Sequence, residues 1–192
     1  KPAAWHELLR GVLSAGEGYG ASTLGQGQLV NVEYVSATRT GPLHVGHARG
    51  AVLGDVMAAL LATVGFDVAR EYYINDAGAQ GDVLRRPAYA RYREVLGETI
   101  TLEEGQYPGE YMIDIARAIA ERDGDKWMSA DEADWLPEFR AFAIDYNMTQ
   151  VRRTLADMDI DQLFISERSI VETGGVERAI EKLTDLGLIY WG

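Results

Sequence analysis

Two β-rich runs with one long helical pattern between them, all inside residues 29–74, leave little choice of architecture. "QLVNVEYVS" predicts a strand from Leu29 to Val35, and the chain turns at Thr40-Gly41-Pro42. From His44 to Val64 the apolar residues follow helical spacing. Val52, Val56, Ala59 and Leu60 make one stripe, widened by Leu53, Met57 and Leu61, and Gly65 supplies the stop. "FDVAREYYI", residues 66–74, is the second strand. Strand, tight turn, helix, strand is the βαβ unit of a parallel sheet, because a parallel pair needs a crossover of this length. The helix is expected to be buried, with Ala48, Gly50 and Gly54 letting it sit close to the sheet.

The flanks are mostly helical. Trp5, Leu8, Leu9, Val12 and Leu13 predict an amphipathic helix over 3–14, and "SAGEGYGASTLGQGQ" a glycine-rich loop. After the second strand comes a polar turn and a helix that Pro87 is expected to kink or interrupt. Tyr111, Ile115 and Ile119 mark a helix over 110–121. "SADE" has capping-box order, Ser129 with Glu132, ahead of a helix from about Trp135 to Met158. "DQLFISE" is a short third strand, and Val176, Ala179, Ile180, Leu183 and Leu186 form a last helix stopped by Gly187. The expected organisation is α/β, a parallel core interrupted by a helical excursion. Residues 1–27 form a helix and linker, 28–76 the first part of the core, 77–160 the helical insertion and 161–192 the return to the core.

Composition narrows the function. With 47% hydrophobic residues the chain can build a core, and with no cysteine it has neither disulfides nor thiolate metal sites. That fits a reducing cytosol. No run reads as long enough to span a bilayer, and "KPAAWHELLRGV" is not a signal peptide. A net charge of −12 argues against a broad electrostatic footprint for nucleic acid, so most phosphate contacts to such a partner would lie elsewhere. Arg152 and Arg153 are an isolated pair. The opening Lys1 and the abrupt end at Gly192 lead to the expectation that the chain was cut from something larger.

Two of the three histidines, His44 and His47, stand at the head of the long helix in "TGPLHVGH". Open α/β sheets bind ligands at the carboxyl ends of their strands, and the unpaired N–H groups of a first helical turn favour phosphate. At spacing i, i+3 the two imidazoles share a face there and can each donate to a phosphate oxygen, more strongly when protonated. Gly46 leaves room for a base or sugar. The plainer alternative is one capping and one solvated histidine. A zinc site needs a third protein ligand, and no other histidine or cysteine lies nearby.

Glu33 sits mid-strand between Val32 and Tyr34. In a strand covered on both faces a carboxylate needs a cation, and a guanidinium with its planar fork is the natural match. An internal ion pair with Arg39 or Arg70 is the alternative. Asn75, Asp76 and Gln80, at the end of the second strand, could order the first loop or face a substrate, and Asn75 and Asp76 could instead serve as turn and cap residues.

"VNVEYVSATRTGPLHVGHARG", "REYYINDAGAQ", "YPGEYMIDIA" and "LFISERSIVETGGVERAIEKLTDLGLIY" together resemble the bacterial-type arginyl-tRNA synthetases, in order and from about Trp5 onward. HVGH matches the HIGH signature of class I synthetases, and the INDAG and PGEY stretches are more specific. The resemblance implies a Rossmann-type core split by a connective insertion. It implies activation of arginine by ATP, with Mg2+ bound through the phosphates, then transfer to tRNA(Arg) in the cytoplasm. His44 and His47 would be catalytic, and Gly41, Pro42, His44, Gly46 and His47 would line the ATP site. Glu33, Ser36, Thr38, Asn75 and Gln80 would line the arginine site. This chain reads SATRTGP where the family usually reads SANPTGP, so Thr38 and Arg39 depart from the pattern. A KMSKS-bearing half and an anticodon-binding domain are expected beyond Gly192. "KWMSA" at 126–130 is not that motif, because it lies inside the insertion. Alone, the chain is expected to bind ATP weakly, to fail at charging tRNA and to self-associate through its open sheet edge. Another HxGH nucleotidyltransferase, or a non-catalytic binding module, are the other readings.

Overall fold

A computed structural model describes residues 2–37, 41–76, 82–100 and 111–189. The elements are α1 (Pro2–Ala15), β1 (Leu29–Glu33), α2 (Val45–Thr63), β2 (Asp67–Ile74), α3 (Asp82–Val95), α4 (Tyr111–Asp123), α5 (Glu132–Asp157), β3 (Leu163–Ser166), α6 (Glu167–Glu172) and α7 (Gly175–Asp185). The strands form one parallel sheet in the order β1-β2-β3. Leu29 pairs with Asp67 and Glu33 with Glu71, while Glu71 pairs with Leu163 and Ile74 with Ser166. The β1–β2 crossover is α2, and the β2–β3 crossover carries α3, α4 and α5. The fold is the α/β core with a helical excursion that the sequence predicts.

The excursion has its own core of Tyr92, Met112, Ile115, Ile119, Trp135 and Phe139. Tyr89 lies flat on Trp135 with ring centroids 3.8 Å apart. The 26-residue α5 leaves that core halfway along. Its first half supplies Trp135, Phe139 and Ala143 to it. Its second half supplies Ile144, Met148, Val151 and Leu155 to a second core with Tyr72 and Ile74 of the sheet. Each such large apolar side chain, when fully buried, contributes about 1.5–3 kcal/mol. The insertion is thereby tied to the sheet by a continuous helix. From α5, the Arg152 guanidinium lies 3.6 Å from the centroid of the Phe164 ring on β3.

α2 departs from expectation. Its large apolar residues face outward: Val52, Leu53, Val56, Met57 and Leu60 are all about half exposed or more. The buried positions are Ala51, Gly54 and Ala58. The helix lies so close to β1 that a Cβ on Gly54 would sit 2.3 Å from Cγ of Tyr34. Only the smallest residues fit such an approach, so the inner face is the alanine–glycine line and not the bulky stripe. Gly50, expected at that contact, has nothing within 4 Å. The expectation that no run is long enough for a bilayer also needs correction. By length and composition α2, with 19 residues and mean hydropathy 1.2, is long and apolar enough. In this fold it is the crossover between two parallel strands, and its Asp55 is held by Tyr34 and Arg70.

Local details differ too. β1 ends at Glu33, two residues early, because the chain turns left-handed at Val35. Pro87 does not interrupt α3, and Pro137 likewise lies inside α5. Each is the sixth residue of its helix, where a missing N–H removes only one early hydrogen bond. The Ser129–Glu132 capping box does not form; α5 starts from Asp131, whose extended backbone is the N-cap. α6, unmarked by periodicity, follows β3 directly, and the Ser166 hydroxyl caps it by accepting from Ser169 N. α1 and α7 form as expected, but their apolar faces, Trp5 and Leu13 or Ile180 and Leu186, stay exposed.

Candidate functional site at the carboxyl ends of the strands

The turn after β1 is built on left-handed backbone. Val35 has φ 67° and Ser36 φ 37°. Ser36 N donates to the Tyr34 carbonyl at 3.0 Å, closing a three-residue turn around Val35. A positive φ at a β-branched residue is strained, so its neighbours must hold it. The Ser36 hydroxyl accepts from Tyr73 N at 3.0 Å, and the Tyr72 hydroxyl donates to Ala37 O at 3.2 Å. The Gln162 amide donates to Tyr34 O at 3.1 Å and Glu71 O at 2.9 Å. Beneath the turn, the Tyr34 hydroxyl donates to Asp55. Burial, then the Asp55 charge, push that phenol up to about 12.

The chain then reaches the head of α2. Gly41 sits against the Tyr111 ring of α4, whose atoms lie 3.7 Å from where its Cβ would be, and Pro42 is exposed. His44 is the N-cap of α2, with extended backbone at φ −125°. Its Nδ1 accepts from Gly46 N at 3.1 Å, and its own N–H donates to His47 Nδ1 at 3.2 Å. The rings stack with centroids 3.8 Å apart. Both histidines therefore take part in capping, where the plainer sequence reading had one.

This reciprocal cap decides how the rings can act. An Nδ1 that accepts a hydrogen bond carries no proton, so Nε2 is the N–H of each neutral ring. A proton on either Nδ1 would displace the cap. The His47 imidazole is accordingly held below its ordinary value, by burial first and the neighbouring His44 second. Gly46 has an internal reason to be glycine: a Cβ would lie 2.9 Å from His44 Cε1. Beside this turn an open groove of about 990 Å³ runs along α2 past Val45, Gly46, Arg49 and Val52.

Glu33, at the end of β1, is exposed and not enclosed between two faces: α2 packs against the Tyr34 side of the strand, and no described element covers the Glu33 side. Arg70, one candidate for an internal partner, pairs instead with Asp55 at 3.6 Å. Glu33 belongs to an acidic group around Tyr73. The Tyr73 hydroxyl is hydrogen-bonded to Glu167, and burial, then the charge of Glu167 with those of Asp76 and Glu33, push it up. Asp76 also has a structural job: its carboxylate accepts from Ser166 Oγ and from Arg168 N, both at 2.7 Å, pinning the start of α6 to the end of β2. Asn75 is half-buried beside it. Thr38, Arg39 and Gln80 lie outside the described residues. Sequence reasoning missed Tyr73, Gln162 and Glu167. For Glu167 a signal existed, since the rule that singled out residues after β1 and β2 applies equally after β3.

The sequence profile of the class I tRNA synthetases (R), catalytic domain, matches residues 9–190. The chain belongs to this family. The chain is 54% identical over 196 residues to the arginine–tRNA ligase of Rhodopseudomonas palustris, and 49% over 193 residues to that of Cereibacter sphaeroides. Each comparison covers 100% of this chain and 33% of the relative, so the chain spans a third of the length of the curated relatives it matches. Among solved structures, an arginyl-tRNA synthetase from Campylobacter jejuni superposes with TM-score 0.79 at 31% identity, over 97% of this chain and 40% of that one. The Thermus thermophilus arginyl-tRNA synthetase, at TM-score 0.54 and 21% identity over 86% of this chain and 28% of that one, shares the fold. The Rossmann-type class I core expected from HVGH and INDAG is thus the one present.

Proposed function

We propose that this chain is the first part of the catalytic core of an arginine–tRNA ligase, a cytoplasmic enzyme that activates arginine with ATP and transfers it to tRNA(Arg). The observation that carries the reading is the reciprocal histidine cap, which leaves two Nε2–H donors at a helix N-terminus beside the end of β1. Donors and helix dipole suit a polyanion. Gly41, Pro42, His44, Gly46 and His47 form the ATP side. Glu33, Ser36 and Asn75 form the arginine side, for which the family resemblance also implies Thr38 and Gln80, and the acidic group around Tyr73 suits a guanidinium. Mg2+, when bound through the phosphates, would neutralise charge as pyrophosphate leaves.

In the first step an oxygen of the arginine carboxylate attacks the α-phosphorus, the bond to pyrophosphate breaks and arginyl-adenylate forms. The carboxylate is already ionised, so no general base is required. The protein's part is positioning and charge stabilisation: His44 and His47 donate to phosphate oxygens as charge builds on them. In the second step a hydroxyl at the tRNA 3′ end attacks the activated carbonyl and AMP leaves.

Arginine-dependent exchange of pyrophosphate into ATP by the intact protein, with tRNA(Arg) present, is the test. Exchange with arginine and no other amino acid is expected; exchange with a different amino acid, or none, overturns the proposal. The isolated chain is expected to bind ATP weakly and not to charge tRNA. It is also expected to self-associate. β1 pairs on one side only among the described strands, and the outer α2 residues Leu53 and Leu60 are 64% and 63% exposed. An unpaired edge beside an apolar face can pair with a second copy. Sedimentation should show mass rising with concentration, and a monomer at all concentrations contradicts the expectation.

A further inference from the structure

We infer that Gln162 is a positioning residue for the arginine side of the site, holding the strained turn at Val35 in the shape that presents Glu33 and Ser36. The inference rests on the proposed activity. Gln162 immediately precedes β3 and is 8% exposed. Its Nε2 donates to two carbonyls on neighbouring strands, Tyr34 O and Glu71 O. Glu71 O also accepts Tyr34 N at 3.2 Å, the last rung between the first two strands. The amide therefore sits where that ladder ends and the left-handed turn begins.

Satisfying the backbone does not explain it. Without Gln162, Tyr34 O keeps Ser36 N and Glu71 O keeps Tyr34 N, so neither carbonyl is orphaned. Gln162 Oε1, meanwhile, meets no donor among the described residues although it is buried. An unpaired buried oxygen is costly. For stability alone, a leucine or methionine would serve better at this place. What the amide adds is direction. Left-handed backbone is unfavourable at a non-glycine residue, and a strained turn relaxes unless its surroundings hold it. Ser36 Oγ and Tyr72 tie the turn to β2. Gln162 ties it to β3, across 128 residues of sequence. The first loop of the site is completed only when the chain returns from the helical insertion.

The test uses Gln162→Leu, and Gln162→Met as the variant closest in length and volume. In arginine-dependent ATP–pyrophosphate exchange by the intact protein, KM for arginine should rise about tenfold or more, with KM for ATP changed less than about twofold, because the histidine cap is local to α2. Adding Val35→Gly removes the strain, since glycine takes positive φ freely. It should recover at least about threefold of the lost arginine affinity. A general loss of folding would raise both KM values together or abolish activity, and glycine would not reverse it. Either result, or no recovery by Val35→Gly, overturns the inference. Amide hydrogen exchange provides a readout independent of activity: Ser36 and Tyr73 should lose protection in both variants while α2 keeps its own. If the wild-type protein shows no arginine-dependent exchange, the functional reading falls, and the protection pattern alone decides for or against Gln162.

Discussion

Replacing His44 and His47 together with alanine is expected to lower arginine-dependent ATP–pyrophosphate exchange by about a thousandfold or more, each lost donor to a developing phosphate charge costing about a hundredfold in rate. The same change removes two cap acceptors, for about 1 kcal/mol of stability each. The two effects can be separated. In His44→Asn the side-chain oxygen can still accept from Gly46 N, because asparagine is a good N-cap. The variant should melt near the wild type while exchange stays low. Rapid exchange by His44→Asn would reduce His44 to a cap. The pH dependence has a definite sign. The fold holds the His47 imidazole below its ordinary value, so it favours the neutral ring. Its contribution to stability is complete above the unfolded value of about 6.5 and is lost as pH falls through the lower folded value. Exchange should fall over the same acid range. A rate that rises as the solution is acidified would mean that a charged imidazole does the work.

Glu33→Gln is expected to raise KM for arginine by about 10- to 100-fold with little change for ATP, because a hydrogen bond to a charged group is worth about 1.5–3 kcal/mol. The substitution keeps size and one acceptor and removes the charge. Arg70 is committed to Asp55, and Glu33 stands exposed in an acidic group with Asp76 and Glu167 around Tyr73. A guanidinium entering there meets carboxylates from the ends of three strands, and its planar fork can take two contacts from one of them. A selective rise for arginine supports that placement. Equal KM values, or a parallel rise for ATP, would move the guanidinium elsewhere.

Much of this was legible in advance, for identifiable reasons. β2, the helix after His44 and the helical insertion follow from local periodicity. Phe139, Val151 and Leu155 read as core at helical spacing and are buried. The position of His44 and His47 at the head of α2 was legible, because the start of a helix follows from local pattern. The sense of the long helix was not. Val52, Val56 and Leu60 read as a stripe of a buried helix, but they face outward, and the buried positions are Ala51, Gly54 and Ala58. Periodicity finds the bulky stripe and cannot know that Tyr34 occupies the space against Gly54. Glu33 was misjudged as enclosed, because the residues of one strand do not encode which of its faces another element will cover.

The amino-acid sequence by itself determined the order of elements, the parallel core and the class of its signature loop, since these depend on neighbours a few residues apart. The tertiary structure alone decided that the two imidazoles cap one another and so keep Nε2 as the donor. It also decided that the turn at Val35 is held by Gln162 across 128 residues, and that Tyr73 gathers acids from three strand ends. The physical reason is the same in each case. A hydrogen bond sets which ring nitrogen keeps its proton and which backbone shape survives strain, and its partners are chosen by the fold.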